Sequence, residues 1–476
     1  MSTGSGEIKD SLVVCRSNQG AEIRGSLLRL TRFAVVFEIY SPTIVLRLSE
    51  VLSEFRIVVQ DRMLYSGRAV IGNLVNAGLT VVCEVTLDET SWTDVEIALV
   101  NAGNGELRKQ FEAFMHEWQK LYKVGSDYKL LVADMQTFFM DLRLWLDQVE
   151  LGIRSSPSAD RLQLEREVAE EAAQPVIGSL NILFEKFEPI ASRLEEELKP
   201  AHRSYMRRQL HAWVMCAPFA HRAFYKPLGY AGDYELVNMM ARNAPEGASL
   251  FAKVVNTWFV RESPAQAHRN RIRYLVEQLT RETVRANAAG RDARVFNVAC
   301  GPAQEVQEFL AERPVSARCN VTLLDFNEET LQHTRAALDD RKSRYGRNTP
   351  LHFIKKSVQS ILKESGRTVE RPPQEQHDLV YCAGLFDYLS DQVCHRLLDV
   401  MYTWLAPGGL LIATNVEPAN PARYGMEHLL DWHLIYRNAS QLAALKPRGA
   451  EADSACVRCD DSGVNVFLEV RKPGHA

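Results

Sequence analysis

A short apolar run followed by a glycine turn is the feature of this chain with the clearest chemical meaning. Residues 294–301 read Arg-Val-Phe-Asn-Val-Ala-Cys-Gly and lead into a helix-like stretch at 303–310. A second apolar run, 321–324, ends in Asp325, twenty-four residues after Gly301. In a βαβ unit this spacing presents a carboxylate to the hydroxyls of a ribose. The pattern therefore predicts a site for a cofactor that contains a nucleoside.

The composition of the loop narrows the choice of cofactor. A dinucleotide fingerprint needs three glycines so that the backbone can approach a pyrophosphate, whereas residues 302–304 here read Pro-Ala-Gln. The loop also lacks the lysine of a nucleoside triphosphate site. One glycine and a ribose-binding acid suit a cofactor without phosphate. The competing interpretation is an ordinary strand-to-helix turn of an α/β domain.

The run at 294–301 resembles motif I of class I S-adenosylmethionine-dependent methyltransferases, with Asn297 and Ala299 where that family has Asp and Gly. Later motifs of the family follow in the same order, at 352–358, 377–382 and 404–414. The last of these contains the sequence Leu-Ala-Pro-Gly-Gly before an apolar strand. This sequence predicts a turn, because proline restricts φ and the glycines allow the chain to reverse. The resemblance implies S-adenosylmethionine as the cofactor.

The resemblance also implies where the domain lies. We expect an α/β Rossmann-like methyltransferase domain over residues 223–476, with an N-terminal helical cap and a core at 291–476. The segments 455–459 and 464–470 read as a β-hairpin that closes the sheet.

The cofactor residues follow from the same motifs. The resemblance assigns Asp325 to the ribose, Ser357 and Val358 to the region of the adenine, and Tyr230 and Arg269 to the methionine side. The other residues assigned to the cofactor are Asn297, Ala299, Gly301, Phe326 and Cys382.

Composition excludes several functional classes. The net charge of −4 and pI near 6.3 argue against a nucleic-acid partner, which would need a basic surface. No apolar stretch approaches the length of a membrane span, and no signal-like segment opens the chain, so a cytoplasmic location is expected. Nine cysteines without framework spacing fit reduced thiols. Cys456 and Cys459 form a lone C-x-x-C, and no metal site is expected.

The first hundred residues alternate β-type runs with turns, which predicts a small antiparallel β-barrel over residues 1–100. The predicted strands are 11–15, 21–30, 33–40, 44–48, 55–60, 63–74 and 79–87. Their order resembles PilZ domains, which are bacterial receptors for cyclic di-GMP. Arg24 and Arg29 are available, but residues 30–34 replace the strand with which that family holds a guanine. We interpret the barrel as a degenerate PilZ-like domain that docks or dimerises without nucleotide.

From about residue 105 the apolar period becomes helical, which predicts a helical bundle over residues 101–222. One apolar face comprises Phe111, Phe114, Met115, Trp118 and Tyr122, and a second comprises Leu180, Leu183, Phe184, Phe187, Ile190, Leu194 and Leu198. Such faces pack on the catalytic domain, on a second copy of the chain, or on an acyl substrate as a lid. A homodimer through the barrel or the helical region is one of these alternatives.

Three further segments combine aromatic and charged residues. Residues 226–235, with Tyr230 and Tyr234, have the composition of a loop that closes over a ligand. Residues 263–273 begin a helix on which Arg269 and Arg273 share a face, either as a solvated surface or as a carboxylate site. Residues 423–437 place seven basic or aromatic residues in fifteen positions after the fifth strand, where α/β sheets bind ligands. On a continuous helix, His428 would share a face with Trp432, and His433 with Arg437.

Together, these segments resemble PilZ-like-plus-methyltransferase proteins related to the bacterial synthases of 3-hydroxy fatty acid methyl esters, such as 3-hydroxypalmitic acid methyl ester, that act in quorum sensing. The resemblance covers about residues 220–437. It implies methyl transfer to the carboxylate of a 3-hydroxy fatty acid, free or carrier-linked. The residues expected to orient the acceptor are Tyr234, Asp387, Tyr388, Arg423, His428, Trp432 and Arg437.

Two other functional classes stay open. A methyltransferase of amines or other small molecules would need a general base, for which His428 or Asp387 could serve. A non-catalytic PilZ-type signalling protein would use both domains only to bind ligands and a partner.

Overall fold

A computed structural model describes residues 11–40, 45–59, 62–76, 80–88, 91–92, 112, 115, 124–156, 160–364 and 375–474. The first predicted helical face, from Phe111 to Tyr122, lies outside these residues except for Met115. Among the described residues, no helix is long and apolar enough to cross a membrane.

The chain forms two compact units that interleave along the sequence. The first unit comprises residues 1–231, 245–259 and 422–433, and the second comprises 232–244, 260–421 and 434–476. The segment 422–433, which follows the last parallel strand of the second unit, therefore belongs to the first unit. Predicted boundaries at residues 100 and 222 do not anticipate this interleaving, because propensity is local and domain membership depends on long-range contacts.

An antiparallel β-barrel opens the first unit, as predicted. Its six strands close in the order β1-β2-β3-β6-β5-β4. The strands are β1 (Ser11–Arg16), β2 (Glu22–Leu30), β3 (Ala34–Ile39), β4 (Val51–Val59), β5 (Arg62–Asn76) and β6 (Val81–Leu87). Alternate residues point inwards, and Phe37, Phe55 and Tyr65 fill the interior with edge-to-face contacts.

The fourth predicted strand, at 44–48, is wrong for the part that is described. Residues 45–50 form a turn in which Ser49 adopts a left-handed conformation, with φ 57°. The buried carboxylate of Glu50 accepts hydrogen bonds from the backbone N–H groups of Asn18 and Arg47, at 3.0 and 3.1 Å. These bonds to a side chain replace the ladder that an apolar run would otherwise join.

Helices follow the barrel in the first unit. They are α1 (Ser126–Ser155), α2 (Arg161–Ser192), α3 (Lys199–Val214), α4 (Pro218–Tyr225), most of α6 (Leu250–Arg261), and α12 (Arg423–Leu430). The second predicted apolar face is confirmed on α2, where Leu180, Phe184 and Phe187 are buried. It ends at Ser192, so Leu194 and Leu198 lie beyond the helix.

A seven-stranded sheet forms the second unit, in the order β12-β13-β11-β10-β7-β8-β9. The strands are β7 (Ala293–Val298), β8 (Cys319–Asp325), β9 (Leu351–Lys355), β10 (His377–Cys382), β11 (Leu405–Val416), β12 (Ala455–Cys459) and β13 (Asn465–Arg471). The first five are parallel, and the predicted hairpin of β12 and β13 adds two antiparallel strands.

Seven helices complete the second unit in the described part of the chain: α5 (Tyr234–Arg242), α7 (Ser263–Ala288), α8 (Gln304–Glu312), α9 (Glu328–Tyr345), α10 (Val358–Glu364), α11 (Asp391–Thr403) and α13 (Ala439–Ala443). Buried residues of α7, α8 and α9 join one core with β7, β8 and β10, including Leu279, Phe309 and Leu331. The barrel, the helical region and the α/β sheet confirm the predicted fold class.

Candidate active site

The strand order of the second unit indicates which edge of the sheet would bind a ligand. Strand β7 pairs with β8 on one side and with β10 on the other, all in parallel. The order of the strands therefore reverses beside β7, and open α/β sheets bind ligands at this point, beyond the carboxyl ends of the strands.

The loop after β7 has the backbone of a glycine-rich loop. Ala299, Gly301 and Ala303 all adopt left-handed conformations, with φ of 56°, 52° and 49°. Alanine pays a steric cost there that glycine does not. Ala299, which stands where the family motif has glycine, thus adopts the left-handed conformation that glycine favours.

Asp325 ends β8 and contacts this loop. Its carboxylate, 5% exposed, accepts hydrogen bonds from the backbone N–H groups of Gly301, at 3.2 Å, and Asn327, at 3.0 Å. The acid predicted to bind the ribose therefore lies against the glycine turn.

Glu305, in the first turn of α8, was not anticipated from the sequence. Its Oε1 accepts hydrogen bonds from Tyr381, at 2.7 Å, and from Asn297 Nδ2, at 2.9 Å. Burial raises the pKa of Glu305, and burial together with Glu305 raises the pKa of Tyr381. The acid that motif I usually carries at position 297 is thus replaced by an amide that binds an acid eight residues later.

Other predicted cofactor residues lie along the same edge. Phe326 follows β8, and Cys382 is the buried last residue of β10. Ser357 precedes α10, and its Oγ accepts a hydrogen bond from Ser360 N at 3.2 Å. Val358, the first residue of α10, is buried.

Asp387 and Tyr388 lie in a short 3₁₀ helix after β10, at the edge where acceptor contacts were predicted. Asp387 is buried, and its Oδ1 accepts a hydrogen bond from Val416 N at 2.7 Å. Its backbone carbonyl accepts another from Ile435 N, also at 2.7 Å. Burial raises the pKa of this carboxyl, while Arg271 opposes that shift.

Tyr234 begins α5, which Asp233 caps through the N–H groups of the first turn. The Tyr234 hydroxyl donates to Glu329 Oε1 at 2.9 Å, and its ring stacks on His333 with centroids 4.5 Å apart. Helix α5 is also joined to α8 by Gln304 Nε2, which donates to Asn238 Oδ1 at 2.6 Å. Tyr234 thus lies on a helix that contacts the start of α8.

The expectation for Arg269 is corrected. Its guanidinium donates to the carbonyls of Met240 and Val260, at 2.9 and 2.7 Å, and twice to Gln266 Oε1. Four of its five donors are therefore used, two on the ends of neighbouring helices and two on Gln266 of the same helix. On the same helix, Arg271 lies beside Gly384 in the loop after β10. Arg271 could have been singled out from the sequence, because it is one of three arginines at 269, 271 and 273. The i, i+4 spacing drew attention to Arg269 and Arg273 instead.

Arg437 is also corrected as a ligand for the acceptor. All five of its N–H donors are used, in bonds to Asp391, Asn415 and the carbonyls of Phe386 and Leu389. The side chain is 3% exposed in its ion pair with Asp391. No donor remains for a substrate carboxylate, so Arg437 holds the loop after β10 in place.

Tyr230, Arg423, His428 and Trp432 belong to the first unit, whereas all other predicted site residues belong to the second. Helix α12 ends at Leu430, because Asp431 adopts a left-handed conformation with φ 53°. His433 and Arg437 therefore share no helix face.

Helix α12 is held at both ends within the first unit. Glu188 accepts hydrogen bonds from the N–H groups of Tyr424 and Gly425, at 3.0 and 2.8 Å. At the other end, Arg207, His211 and Lys226 donate to the last four carbonyls. Glu188 at the start and the guanidinium of Arg207 at the end complement the helix dipole, whereas burial lowers the pKa of His211 to about 4, so this ring donates in its neutral form.

The remaining predicted residues on this segment have identifiable contacts. Arg423 pairs with Glu427 at 3.3 Å and lies over the Tyr424 ring. Trp432 is buried against Phe219. His428 is fully buried, and its Nδ1 contacts the Tyr128 hydroxyl at 2.8 Å.

Residues 295–409 match the model of a family described as a methyltransferase domain. This part of the chain is an S-adenosylmethionine-dependent methyltransferase domain of class I fold. No curated protein sequence matches the chain. Within the described residues, no group of three or more histidines, cysteines or acids could hold a metal ion.

Solved structures provide more distant likenesses. A possible exported protein from Bordetella parapertussis is 17% identical, with a TM-score of 0.40, and the match covers 54% of this chain and 86% of that one. The N-methyltransferase NodS from Bradyrhizobium japonicum, in complex with S-adenosyl-L-homocysteine, is 16% identical, with a TM-score of 0.28 and coverage of 42% and 87%. Magnesium protoporphyrin IX methyltransferase from Synechocystis, with the same ligand, is 9% identical, with a TM-score of 0.33 and coverage of 49% and 93%.

The methyltransferase domain fits its cofactor. The left-handed residues of the loop after β7 bring the backbone close to the sheet edge, and Asp325 adds a carboxylate beside Gly301. Both features suit a nucleoside with its ribose on the acid. The cofactor supplies an electrophilic methyl group, and these are the residues that would bind and orient it.

Replacing Ala299 by glycine should not destabilise the protein. Glycine removes the strain of the left-handed conformation, which costs alanine about 1–2 kcal/mol. This gain exceeds or offsets the loss of stability, about 0.4–1 kcal/mol, that arises because glycine gives the unfolded chain more conformational entropy. The matched control is Ala336→Gly at an exposed position within α9, where glycine should cost about 1 kcal/mol. Denaturant midpoints measure both changes. An equal loss of stability in the two variants would contradict the inference that Ala299 is strained.

Asp325→Ala should weaken S-adenosyl-L-homocysteine binding by about 1.5–3 kcal/mol for each charge-assisted hydrogen bond lost. Because the carboxylate also holds Gly301 and Asn327, Asp325→Asn separates loss of charge from loss of the loop contacts. Asp340→Ala, at an exposed acid of α9, is the control. Calorimetry that shows unchanged affinity in Asp325→Ala would rule out this site.

Proposed function

We propose that the chain transfers a methyl group from S-adenosylmethionine to the carboxylate of a 3-hydroxy fatty acid and releases a methyl ester signal of the quorum-sensing type. The similarity of residues 220–437 to synthases of such esters supports this acceptor. The observation that carries the proposal is the distribution of bases and cations in the second unit. Asp387 is buried and bound by Val416 N, whereas Arg271 has unused donors beside the loop after β10.

A carboxylate acceptor needs little chemical activation. It is ionised at neutral pH, so the protein has only to hold one oxygen in line with the methyl group and exclude water. An amine or hydroxyl acceptor requires removal of a proton. His428, the other candidate base, is fully buried, and burial and nearby arginines lower its pKa well below the usual range. The acid is therefore the favoured acceptor, and an amine is the alternative.

The barrel is proposed to be PilZ-like in origin but without a nucleotide. The two arginines that could bind phosphate have acidic partners: Arg24 Nε lies 2.8 Å from Glu22, and an Arg29 amino group lies 3.7 Å from Glu84. Residues 30–34 lack the family's guanine-binding pattern. The barrel would then act as a docking domain. We further propose that the enzyme is cytoplasmic and that its acid substrate is free or linked to a carrier.

Transfer of labelled methyl groups to a panel of 3-hydroxy acids, free and carrier-linked, tests the function. Methyl esters should form with at least one acid, and Asp325→Ala should lower the rate by at least tenfold at limiting cofactor because binding is weakened. The same panel contains amines. Methylation of amines alone would replace this proposal by the alternative, and no transfer to any acceptor would favour a binding protein.

A second copy of the chain is the proposed partner, through α1. Leu130, Leu144 and Leu151, spaced by seven and fourteen residues, are 67%, 60% and 62% exposed. The opposite side of α1, with Met135 and Phe139, is fully buried. A helix that is apolar on two opposite sides needs a second surface to cover it.

Charge along the exposed stripe favours self-association. Lys129 and Arg143 border one side, where Arg143 also pairs with Asp147 of the same helix at 3.7 Å, and Asp134 and Asp141 border the other. When two such helices pair in parallel, the basic border of each faces the acidic border of its partner. An antiparallel pair would place like borders together.

Leu144→Glu should convert a dimer into a monomer, because it introduces a charge into the apolar stripe. Sedimentation velocity measures the change over a range of concentrations. Val75→Glu, at a 53% exposed position of the barrel, is the matched control and should leave the dimer intact. A wild-type monomer, or dissociation by Val75→Glu alone, would refute association through α1.

A further inference from the structure

Arg271 is a guanidinium whose donors are mostly unused. Its Nη2 donates to His268 Nδ1 at 2.7 Å. Its Nη1 and Nε make no hydrogen bond to any residue that the structure describes. A Cβ placed on Gly384 would lie 3.1 Å from both Nη1 and Nη2. Because Gly384 has no side chain, the guanidinium can occupy the space beside the loop after β10.

The bond to Arg271 determines the tautomer of His268. Arginine can only donate, so Nδ1 must be the acceptor, and the neutral ring carries its proton on Nε2. This Nε2–H group is buried and has no partner among the residues described, in a side chain that is only 7% exposed overall. A buried donor without a partner is costly, and such groups mark sites that a ligand or a water completes.

The nearby acids do not satisfy Arg271. Asp387 and Glu305 act on its charge, but neither forms a hydrogen bond with it. Asp387 accepts from Val416 N, and Glu305 accepts from Asn297 and Tyr381. Both carboxyls are buried, and burial raises the pKa of each, which favours the neutral form. The positive charge of Arg271 is therefore left without an ion-pair partner.

We propose that Arg271, positioned by His268, binds a carboxylate at the carboxyl end of β10. Four of the five N–H donors are unused within the described part of the chain, and the second N–H of Nη2 completes one edge of two parallel donors that matches the two oxygens of a carboxylate. This chemistry has two sources here: the amino-acid part of the cofactor, and the acid acceptor. The second source rests on the proposed function, whereas the first does not.

Calorimetry with two cofactor analogues distinguishes the sources. S-adenosyl-L-homocysteine has the amino-acid carboxylate, and 5′-methylthioadenosine lacks it. If Arg271 binds the cofactor, Arg271→Met should weaken the first ligand about 10- to 100-fold and leave the second within about twofold. If it binds the acceptor, both ligands should bind as before, and KM for the acid should rise by a similar factor.

Matched variants separate binding from folding. Arg271→Lys keeps the charge without the two-pronged geometry, so it should show a smaller loss than Arg271→Met. Arg281→Met, at an exposed arginine of the same helix, should change neither ligand. For the positioning role, His268→Leu should reproduce part of the loss and His268→Gln, which keeps an acceptor, should restore it. Thermal unfolding checks that each variant is folded.

Two results would overturn the site. The first is a folded Arg271→Met variant with normal affinity for both analogues and normal KM for the acid. The second is equal weakening of both analogues, which would locate Arg271 at the nucleoside. If no acid is methylated but Arg271→Met weakens the binding of S-adenosyl-L-homocysteine alone, the carboxylate site at Arg271 is supported while the proposed function fails.

Discussion

Parallel pairing of β7 with both β8 and β10 is the constraint on which the candidate site depends. Parallel strands end at one edge of a sheet, so the glycine turn, Asp325 and the loop that carries Asp387 meet there although they are far apart in sequence. The same edge requires close backbone approach, and the left-handed conformations of Ala299 and Ala303 are its consequence. The strain that these alanines carry is therefore tolerated at a functional loop, where such conformations concentrate.

The segment after β11 shows a second constraint, that a buried helix must have both of its ends satisfied. Helix α12 has only eight residues, and the first unit provides Glu188 at its start and Arg207, His211 and Lys226 at its end. Burial lowers the pKa of Lys226 to about 7 and raises that of Glu188 to about 7. Burial therefore weakens the preference of both groups for their charged forms, and their hydrogen bonds to the backbone hold the two ends of α12.

Donor counts distinguish structural arginines from candidate ligands in this protein. Arg437 uses all five donors to join elements of the second unit, and Arg269 uses four, two on neighbouring helices and two on Gln266 of its own helix. Arg271 uses one. Since a guanidinium is always charged, the number of donors left over decides whether it can bind an anion. Truncation of Arg437 would therefore disturb the fold and the site together.

The sequence by itself determined the elements whose signals are local. Alternating apolar residues predicted the barrel strands, and the turn after β7, Asp325 and the closing hairpin were predicted from spacing alone. Tertiary structure decided what local patterns cannot encode. Arg269 and Arg271 lie two residues apart with the same chemistry, and only the packing of α7 directs one to helix ends and the other to Gly384. Helix α12 stops at Leu430, and the described part of the apolar run at 44–48 leads into a turn beside Glu50, because hydrogen bonds to residues distant in sequence outweigh propensity.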